Sequence, residues 1–512
     1  MLRICRNVCV LAAVITAASC AQFPEYSHLQ YEEHLPAPHL SDASPLTELT
    51  AVTDPQACAM ALLPTGVEAF SARILLAASA QQTLDLQYYL FHNDLTGKLF
   101  AWMLLQAADR GVRVRLLLDD MSSRGADDYI RLLNRHPNIH IRLFNPFERD
   151  YSRDAQFLTR YGIATRRMHN KSMITDNLVA VVGGRNIGDE YFDAARNAVI
   201  FGDLDVLTAG GVVDDISTEF DRYWNSELAF PAEYVLKDNP QKDKNGLKKL
   251  RQWLDNWIDN HRDHPYGQIL RQSVEQQVKD YRRLVHYGRA YVVADSPVKI
   301  TGQQQRSPVL MNIVRLMDSA EKNVTLISPY LIPSGGTINY LSALVKRGVK
   351  VQVLTNSLAT TDVPAVHSAY KKYRDDLIRA GLTLWELKPD AGKKIRSSWL
   401  GSSSASLHAK AVLVDEQYLF IGSMNLDPRS VIQNTEMGML IDQKTIAEEI
   451  YLTLQEGLPY NAYKLELNNG ELQWQEIKAD NSVKIYHSDP HAGIWRRLQS
   501  WVLGFMPLEP EL

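Results

Sequence analysis

The sequence predicts an α/β protein of two homologous halves, each a mixed sheet flanked by helices, with one active site at their interface. Two observations predict it. Residues 168–188, MHNKSMITDNLVAVVGGRNIG, carry His169, Lys171, Asp176, Gly183 and Asn186, and residues 407–427, LHAKAVLVDEQYLFIGSMNLD, carry His408, Lys410, Asp415, Gly422 and Asn425. Every pair is separated by the same interval, 408 − 169 = 239, so five positions recur without a change of gap. The scaffold recurs too: a strand–helix–strand unit ends its helix at Gly111 and again at Gly348, 348 − 111 = 237 residues later.

At 512 residues the chain is long enough for two or three domains, and 45% apolar with 22% charged residues describes a globular protein. A formal charge of −4 gives no general attraction for nucleic acid, and no nucleic-acid partner is expected. Residues 1–19 read as an export signal. Arg3 and Arg6 form a basic start, 8–18 is an apolar run too short to span a bilayer, and Ala17, Ala18 and Ser19 precede Cys20. This resembles the lipobox of bacterial lipoproteins, with Ala17 where Leu is usual. The resemblance implies acylation of Cys20, and Ala21 in place of Asp implies an outer-membrane anchor facing the periplasm. An ordinary secretory signal is the alternative. Cys5 and Cys9 would leave with the signal, so no internal disulfide is expected, and Cys58 reads as a small buried side chain. Residues 20–65, with Pro24, Pro36, Pro38, Pro45 and Pro55 among polar residues, read as a tether.

The first half is placed at 66–230. Residues 83–90 (TLDLQYYL) read as a strand, 96–110 (TGKLFAWMLLQAADR) as a helix stopped by Gly111, and 112–118 (VRVRLLL) as a second strand parallel to the first. A connector at 231–287 follows, polar at KDNPQKDKNG and then helical, with Leu247, Leu250, Leu254, Trp257 and Ile258 on one face. That face either packs on the halves or touches lipid. The second half, 288–458, repeats the unit: strand 323–330 (NVTLISPY), helix 337–347, Gly348, strand 349–355 (VKVQVLT). The extension, 459–512, contains GIWRRLQSWVLGFM at 493–506. Ile494, Trp495, Leu498, Trp501, Val502 and Phe505 beside Arg496 and Arg497 suit either a membrane-interface helix or one docked on the body.

Within each motif the residues between Lys and Gly read as a hairpin, turning at Asp176-Asn177 and Asp415-Glu416. Residues two apart on a strand share a face, so His169 projects with Lys171 and His408 with Lys410. Gly183 and Gly422 let Asn186 and Asn425 turn back toward each His. One half thus offers an imidazole, an ammonium and a carboxamide, and two halves make a pocket for a tetrahedral anion. Opposite charges about 4 Å apart attract by roughly 4 kcal/mol at intermediate dielectric, so Lys171 and Lys410, with Asn186 and Asn425, can hold a phosphodiester. Neither motif has the clustered carboxylates of a magnesium site, and no metal or cofactor is expected. One imidazole can attack phosphorus while the other protonates the leaving alkoxide and then deprotonates the acceptor. Unperturbed His titrates near pH ~6.5, which predicts a bell-shaped pH profile.

His-x-Lys-x4-Asp followed by Gly-Ser-x-Asn is the signature of the phospholipase D superfamily; both copies resemble it, the first with one departure, and the resemblance covers about 66–458. The chain is further similar to bacterial cardiolipin synthases of the third enteric type through LDLQYYL, RGVRVRLLLDD, RRMHNKS, VGGRNIGDEYF, TNSLA, ASLHAK, NLDPRS and NTEMG. That resemblance implies transfer of a phosphatidyl group between phospholipids, with phosphatidylglycerol and phosphatidylethanolamine as expected lipids. It implies catalytic roles for His169, Lys171, Asp176, His408, Lys410 and Asp415, with His169 the nucleophile and His408 the acid. It also implies that Glu436 orients His169 and Asp203 orients His408. Gly184 stands where the signature has Ser, while Ser423 is retained in the second copy. The rival readings are a phospholipase D with water as acceptor, a secreted nuclease, and a phosphate-binding module without catalysis.

Overall fold

The computed structural model describes residues 31–38, 54, 57–160, 162–195, 200–239, 241, 244–303, 306–389, 405–478, 480–504 and 509. The expected signal, Cys20 and most of the expected tether lie outside the described residues.

The first half is one sheet whose strands run, from one edge, Ala229–Pro231, Ile139–Phe144, Arg113–Asp119, Thr83–Tyr88, Ser172–Thr175, Val179–Gly183, Asp205–Gly210 and Cys58–Leu63. The expected strand–helix–strand unit is Thr83–Tyr88, Leu95–Asp109 and Arg113–Asp119, with Leu84 beside Val114 in a parallel ladder. Its helix starts on Asp94, whose carboxylate accepts the Gly97 N–H, and it stops before Gly111, at φ 97°. The second half repeats the order: Ala462–Asn468, Thr383–Leu387, Lys350–Asn356, Asn323–Ile327, Ala411–Val414, Tyr418–Gly422, Met437–Asp442 and His286–Ala294. His286–Ala294 also pairs with Cys58–Leu63, placing Cys58 opposite Gly288, so one strand joins both sheets.

The sheets share a core. Met60, Ile174, Val182 and Trp224 from the first half pack in one buried cluster with Leu407, Ala411, Ile421 and Met439 from the second. An apolar seam of this kind holds the halves in fixed register, as the site between them requires. Among the described residues, no helix is long and apolar enough to cross a membrane.

Two boundaries and one stretch of the tether differ from expectation. The tether does not run to residue 65: Cys58–Leu63 is a central strand, and CAMALL is a short apolar run hidden between prolines. Within 31–38, His34 Nδ1 lies 2.7 Å from Asp221 Oδ2 and the Glu32 N–H donates to Asn225 Oδ1, so this stretch lies on the body. The second half does not end at 458, because Ala462–Asn468 pairs with Thr383–Leu387 just as Ala229–Pro231 pairs with Ile139–Phe144. Two further strands, Glu471–Ile477 and Val483–Tyr486, extend that edge. The connector forms helices Gly246–Asn260 and Pro265–Leu284, which pack on the first half. Leu250 and Leu254 are buried there, Trp102 Nε1 donates to Asp255, and the Tyr266 hydroxyl donates to the Phe192 carbonyl. Trp257 stacks on His261 beneath the Lys98 ammonium, which is the packing alternative.

Candidate active site

Each histidine stands just before a hairpin strand, where the chain crosses to the other half. The His169 N–H donates to the Thr435 carbonyl at 2.9 Å, and the Thr435 N–H to the Arg167 carbonyl at 3.0 Å. In the other copy, Ala405–Leu407 pairs in parallel with Ile200–Gly202, and the His408 N–H donates to the Gly202 carbonyl at 2.8 Å. These exchanges fix the residues that follow Thr435 and Gly202, which are Glu436 and Asp203. His169 Nδ1 therefore lies 2.9 Å from Glu436 Oε2, and His408 Nδ1 lies 2.6 Å from Asp203 Oδ2. Each imidazole is oriented by a carboxylate of the opposite half. An Nδ1–H donated to a carboxylate leaves Nε2 as the reactive nitrogen.

Lys171 and Lys410 are buried, and each donates to the carbonyl of its own His. Lys410 Nζ also stands 3.2 Å from His408 Nε2. Burial pulls Lys171 down to about 7 and Lys410 to about 8. Burial and the two lysines hold His169 well below its usual value, and burial and Lys410 lower His408. The carboxylates move in opposite directions. Burial pushes Glu436 up to about 7 despite Lys171 nearby. Burial would raise Asp203 too, but Lys410 and His408 outweigh it and hold Asp203 below the usual carboxylate range.

The half-sites differ in what braces those carboxylates. Ser423 Oγ donates to Glu436 Oε2 and accepts the Met437 N–H at 3.0 Å. At Gly184 there is no space for a side chain, since a Cβ would fall 2.2 Å from Asp203 Oδ1. The glycine is thus matched to a carboxylate that has moved into the volume of the missing serine. Arg185 holds the Asp203 carbonyl and lies 3.6 Å from Asp205.

Asp176 and Asp415, expected among the catalytic residues, lie at the far ends of their strands, past Ser172–Thr175 and Ala411–Val414. Asp176 accepts the N–H groups of Gln81, Gln82 and Thr83 at 2.7–2.8 Å, and Asp415 those of Glu321, Lys322 and Asn323 at 2.7–2.8 Å. They fasten the start of the first strand of each strand–helix–strand unit, Thr83–Tyr88 and Asn323–Ile327, and do not reach the imidazoles. Their turns have positive φ, 55° and 52° at Asp176 and Asn177 and 53° and 58° at Asp415 and Glu416, as the expected tight turn requires. Asn186 accepts the Leu90 N–H and donates to the Tyr191 hydroxyl at 2.9 Å, so it braces the first half-site from within. Asn425 Oδ1 is buried without a hydrogen-bond partner among the described residues.

Several neighbours were not singled out from sequence. Tyr89 meets His169 edge-on at 5.1 Å, and Tyr191 and Phe201 flank His408 at 5.3 and 4.8 Å. Asp119 accepts the Met168 N–H at 2.9 Å and pairs with Arg167, anchoring the segment before His169. The LQYYL and GDEYF runs contain Tyr89 and Tyr191, but aromatic residues there read equally as strand and core.

A family model described as "Cardiolipin synthase, PLD-like domain" matches residues 74–224 and 313–456. Cardiolipin synthase C of Escherichia coli (strain K12) is 38% identical over 465 residues, 89% of this chain and 96% of that protein. The chain belongs to the cardiolipin synthase family of PLD-like proteins. It is with them a phosphatidyltransferase acting on phospholipids. Cardiolipin synthase A of Pseudomonas entomophila (strain L48) is 25% identical over 401 residues, 77% of this chain and 67% of that protein. The crystal structure of a phosphatidylserine synthase of Haemophilus influenzae Rd KW20 has the same fold, with a TM-score of 0.53 at 13% identity over 79% of this chain and 87% of that one.

Proposed function

We propose that this chain makes cardiolipin by transferring a phosphatidyl group between two phospholipids, with phosphatidylglycerol as one and phosphatidylethanolamine as a further partner. The crossed pairs His169–Glu436 and His408–Asp203 carry the reading, because each imidazole is oriented by the opposite half and His169 lies within electrostatic reach of His408 and of both buried lysines. His169 Nε2 attacks phosphorus and the bond to the departing alkoxide breaks, leaving a phosphohistidine. The His408 imidazolium gives its proton to that alkoxide. The acceptor hydroxyl then passes its proton to His408 Nε2 and attacks phosphorus, the P–N bond breaks, and His169 is regenerated.

The opposite shifts of the carboxylates support this division of roles. Firmly ionised Asp203 favours a cationic His408, while Glu436, half-neutral near pH ~7, gives His169 less reason to take a proton. A neutral imidazole is the nucleophile and a cationic one the acid. The phosphodiester supplies the negative charge that draws a proton onto His408.

Residues 1–20 support placement in a bacterial envelope, held by a lipid on Cys20 in the outer membrane and facing the periplasm. Incubation of the purified protein with phosphatidylglycerol, alone and with phosphatidylethanolamine, tests the reaction by product mass. Cardiolipin with a released headgroup is expected; phosphatidic acid alone would replace the transferase with a hydrolase.

A further inference from the structure

The helix Ile494–Leu503, IWRRLQSWVL, is amphipathic, and it is docked the opposite way round from a helix that closes a core. Its polar face points inward. Arg496 Nη1 donates to the carbonyls of Leu358, Ala359 and Thr361 at 3.0–3.1 Å. Arg497 donates to the carbonyls of Ala492 and Asp489, and buried Ser500 lies 3.4 Å from Lys371 Nζ. Its apolar face points away from the protein: Ile494 is 78% exposed, Trp495 79%, Leu498 47% and Val502 42%. These positions, i, i+1, i+4 and i+8, form one stripe along the helix. A helix whose cations are fixed to the body and whose large apolar side chains face outward is suited to an apolar partner.

The loop that Arg496 holds borders the second half-site. Asn356, just before it, accepts the Leu407 N–H at 2.9 Å and donates to the Leu407 carbonyl at 2.9 Å, fixing the residue before His408. Asp362, just after Thr361, is close enough to His408 and Lys410 to raise their proton affinity. The helix is therefore anchored to the wall of the cleft that receives substrate. On the segment between Arg429 and Glu436, Ile432 is also 62% exposed.

We propose that the outward face of Ile494–Leu503 lies in the interface of a phospholipid bilayer and sets the second half-site at the depth of the lipid phosphates. The occupant is a lipid surface because the substrates are phospholipids, and this step rests on the function proposed above. A side-lying helix of this length buries its apolar stripe near the acyl boundary without crossing the membrane, and aromatic Trp495 suits that depth. The anchored Leu358–Thr361 carbonyls then transmit the position of the membrane surface to the cleft.

The test uses the full-length protein with vesicles of phosphatidylglycerol and phosphatidylethanolamine, some with brominated acyl chains. Bromine is expected to quench part of the tryptophan fluorescence of the parent, and Trp495→Phe is expected to lose that part. A variant with Ile494→Ser, Trp495→Ser and Leu498→Ser is expected to turn over vesicle lipid about tenfold more slowly or worse. Its turnover of monomeric short-chain phosphatidylglycerol is expected to stay at the parent rate. Unchanged quenching with Trp495→Phe, or unchanged vesicle turnover by the triple variant, would overturn the proposal. So would equal losses on both substrate forms, or a self-associated parent dispersed by the variant without any lipid quenching. Trp495-dependent quenching with no cardiolipin from either substrate form would remove the proposed reaction and keep the membrane contact.

Discussion

The two half-sites descend from the same five-residue pattern, yet one braces its carboxylate with a hydroxyl and the other with space. In the second half Ser423 donates to Glu436; in the first, Gly184 leaves room into which Asp203 moves. At Glu436 burial outweighs the nearby Lys171 and Lys299 and the Ser423 hydroxyl, so its proton affinity rises to about 7. Asp203 faces Lys410 and His408 closely enough that charge dominates, and its proton affinity falls. Since each carboxylate serves the opposite His, the two imidazoles meet carboxylates of different proton affinity. The proposed division into acid and nucleophile thus rests on two changes within a pseudo-symmetric pattern, Gly184 against Ser423 and Asp203 against Glu436.

The largest effects come from the histidines. His169→Ala and His408→Ala are each expected to lower turnover at least about ten-thousandfold. The two should separate on a phosphatidyl ester of p-nitrophenol, whose leaving group needs no proton. His408→Ala is expected to release a burst of nitrophenol and accumulate phosphoenzyme, and His169→Ala to do neither. A burst from His169→Ala alone would exchange the roles. Next in size is Gly184→Ser. Its Cβ would displace the Asp203 carboxylate from His408, and a loss of about a hundredfold in kcat is expected. Ser423→Ala removes only one donor from Glu436 and is expected to cost about tenfold or less. Equal losses from the two would show that the bracing does not distinguish the halves.

The pH dependence comes from the same groups. In the free enzyme Lys171 and Lys410 lose their protons through about 7 and about 8, so kcat/KM is expected to fall as pH rises through that window. The acidic limb belongs to His169, which must be neutral and is held well below 6.5. Protonation therefore inhibits only in more acidic solution than an ordinary imidazole would require. Lys171→Arg keeps its charge at all accessible pH and is expected to push the alkaline limb upward. A limb that does not move in this variant would assign it to another group.

What the sequence showed of this site was what repeats locally. The shared spacing of 239 pointed to both His–Lys pairs and both hairpins, although His169, Lys171, His408 and Lys410 stand just before the strands Ser172–Thr175 and Ala411–Val414 and not on them. The crossed carboxylates were not legible from spacing: Glu436 lies 267 residues from His169 and Asp203 lies 205 from His408, and only family resemblance pointed to them. The strand Cys58–Leu63 was lost among prolines, since an unbroken run of six apolar residues carries almost no periodic signal. In Ile494–Leu503, periodicity revealed an apolar stripe but could not say which way it faces, which depends on the carbonyls that Arg496 finds.

The smallest expected effects separate the two motif aspartates from catalysis. Each carboxylate accepts three backbone N–H groups, and each sits in a turn of positive φ that Asn also tolerates. Asp176→Asn keeps that turn and one acceptor oxygen but turns an amide donor toward a donor. At buried Asp176 this is expected to cost about 1–2 kcal/mol of unfolding free energy. Asp415 is only half-buried, and water can replace the lost acceptor, so Asp415→Asn is expected to cost less than about 1 kcal/mol. Denaturant unfolding measures both, and kcat for folded protein should stay within about twofold of the parent, the span of a small change in transition-state energy. A large fall in kcat with unchanged stability would return these residues to the reacting centre. With the expected result, the Asp of His-x-Lys-x4-Asp is a clasp that sets where each hairpin begins, and the acid–base work belongs to the pairs formed across the interface.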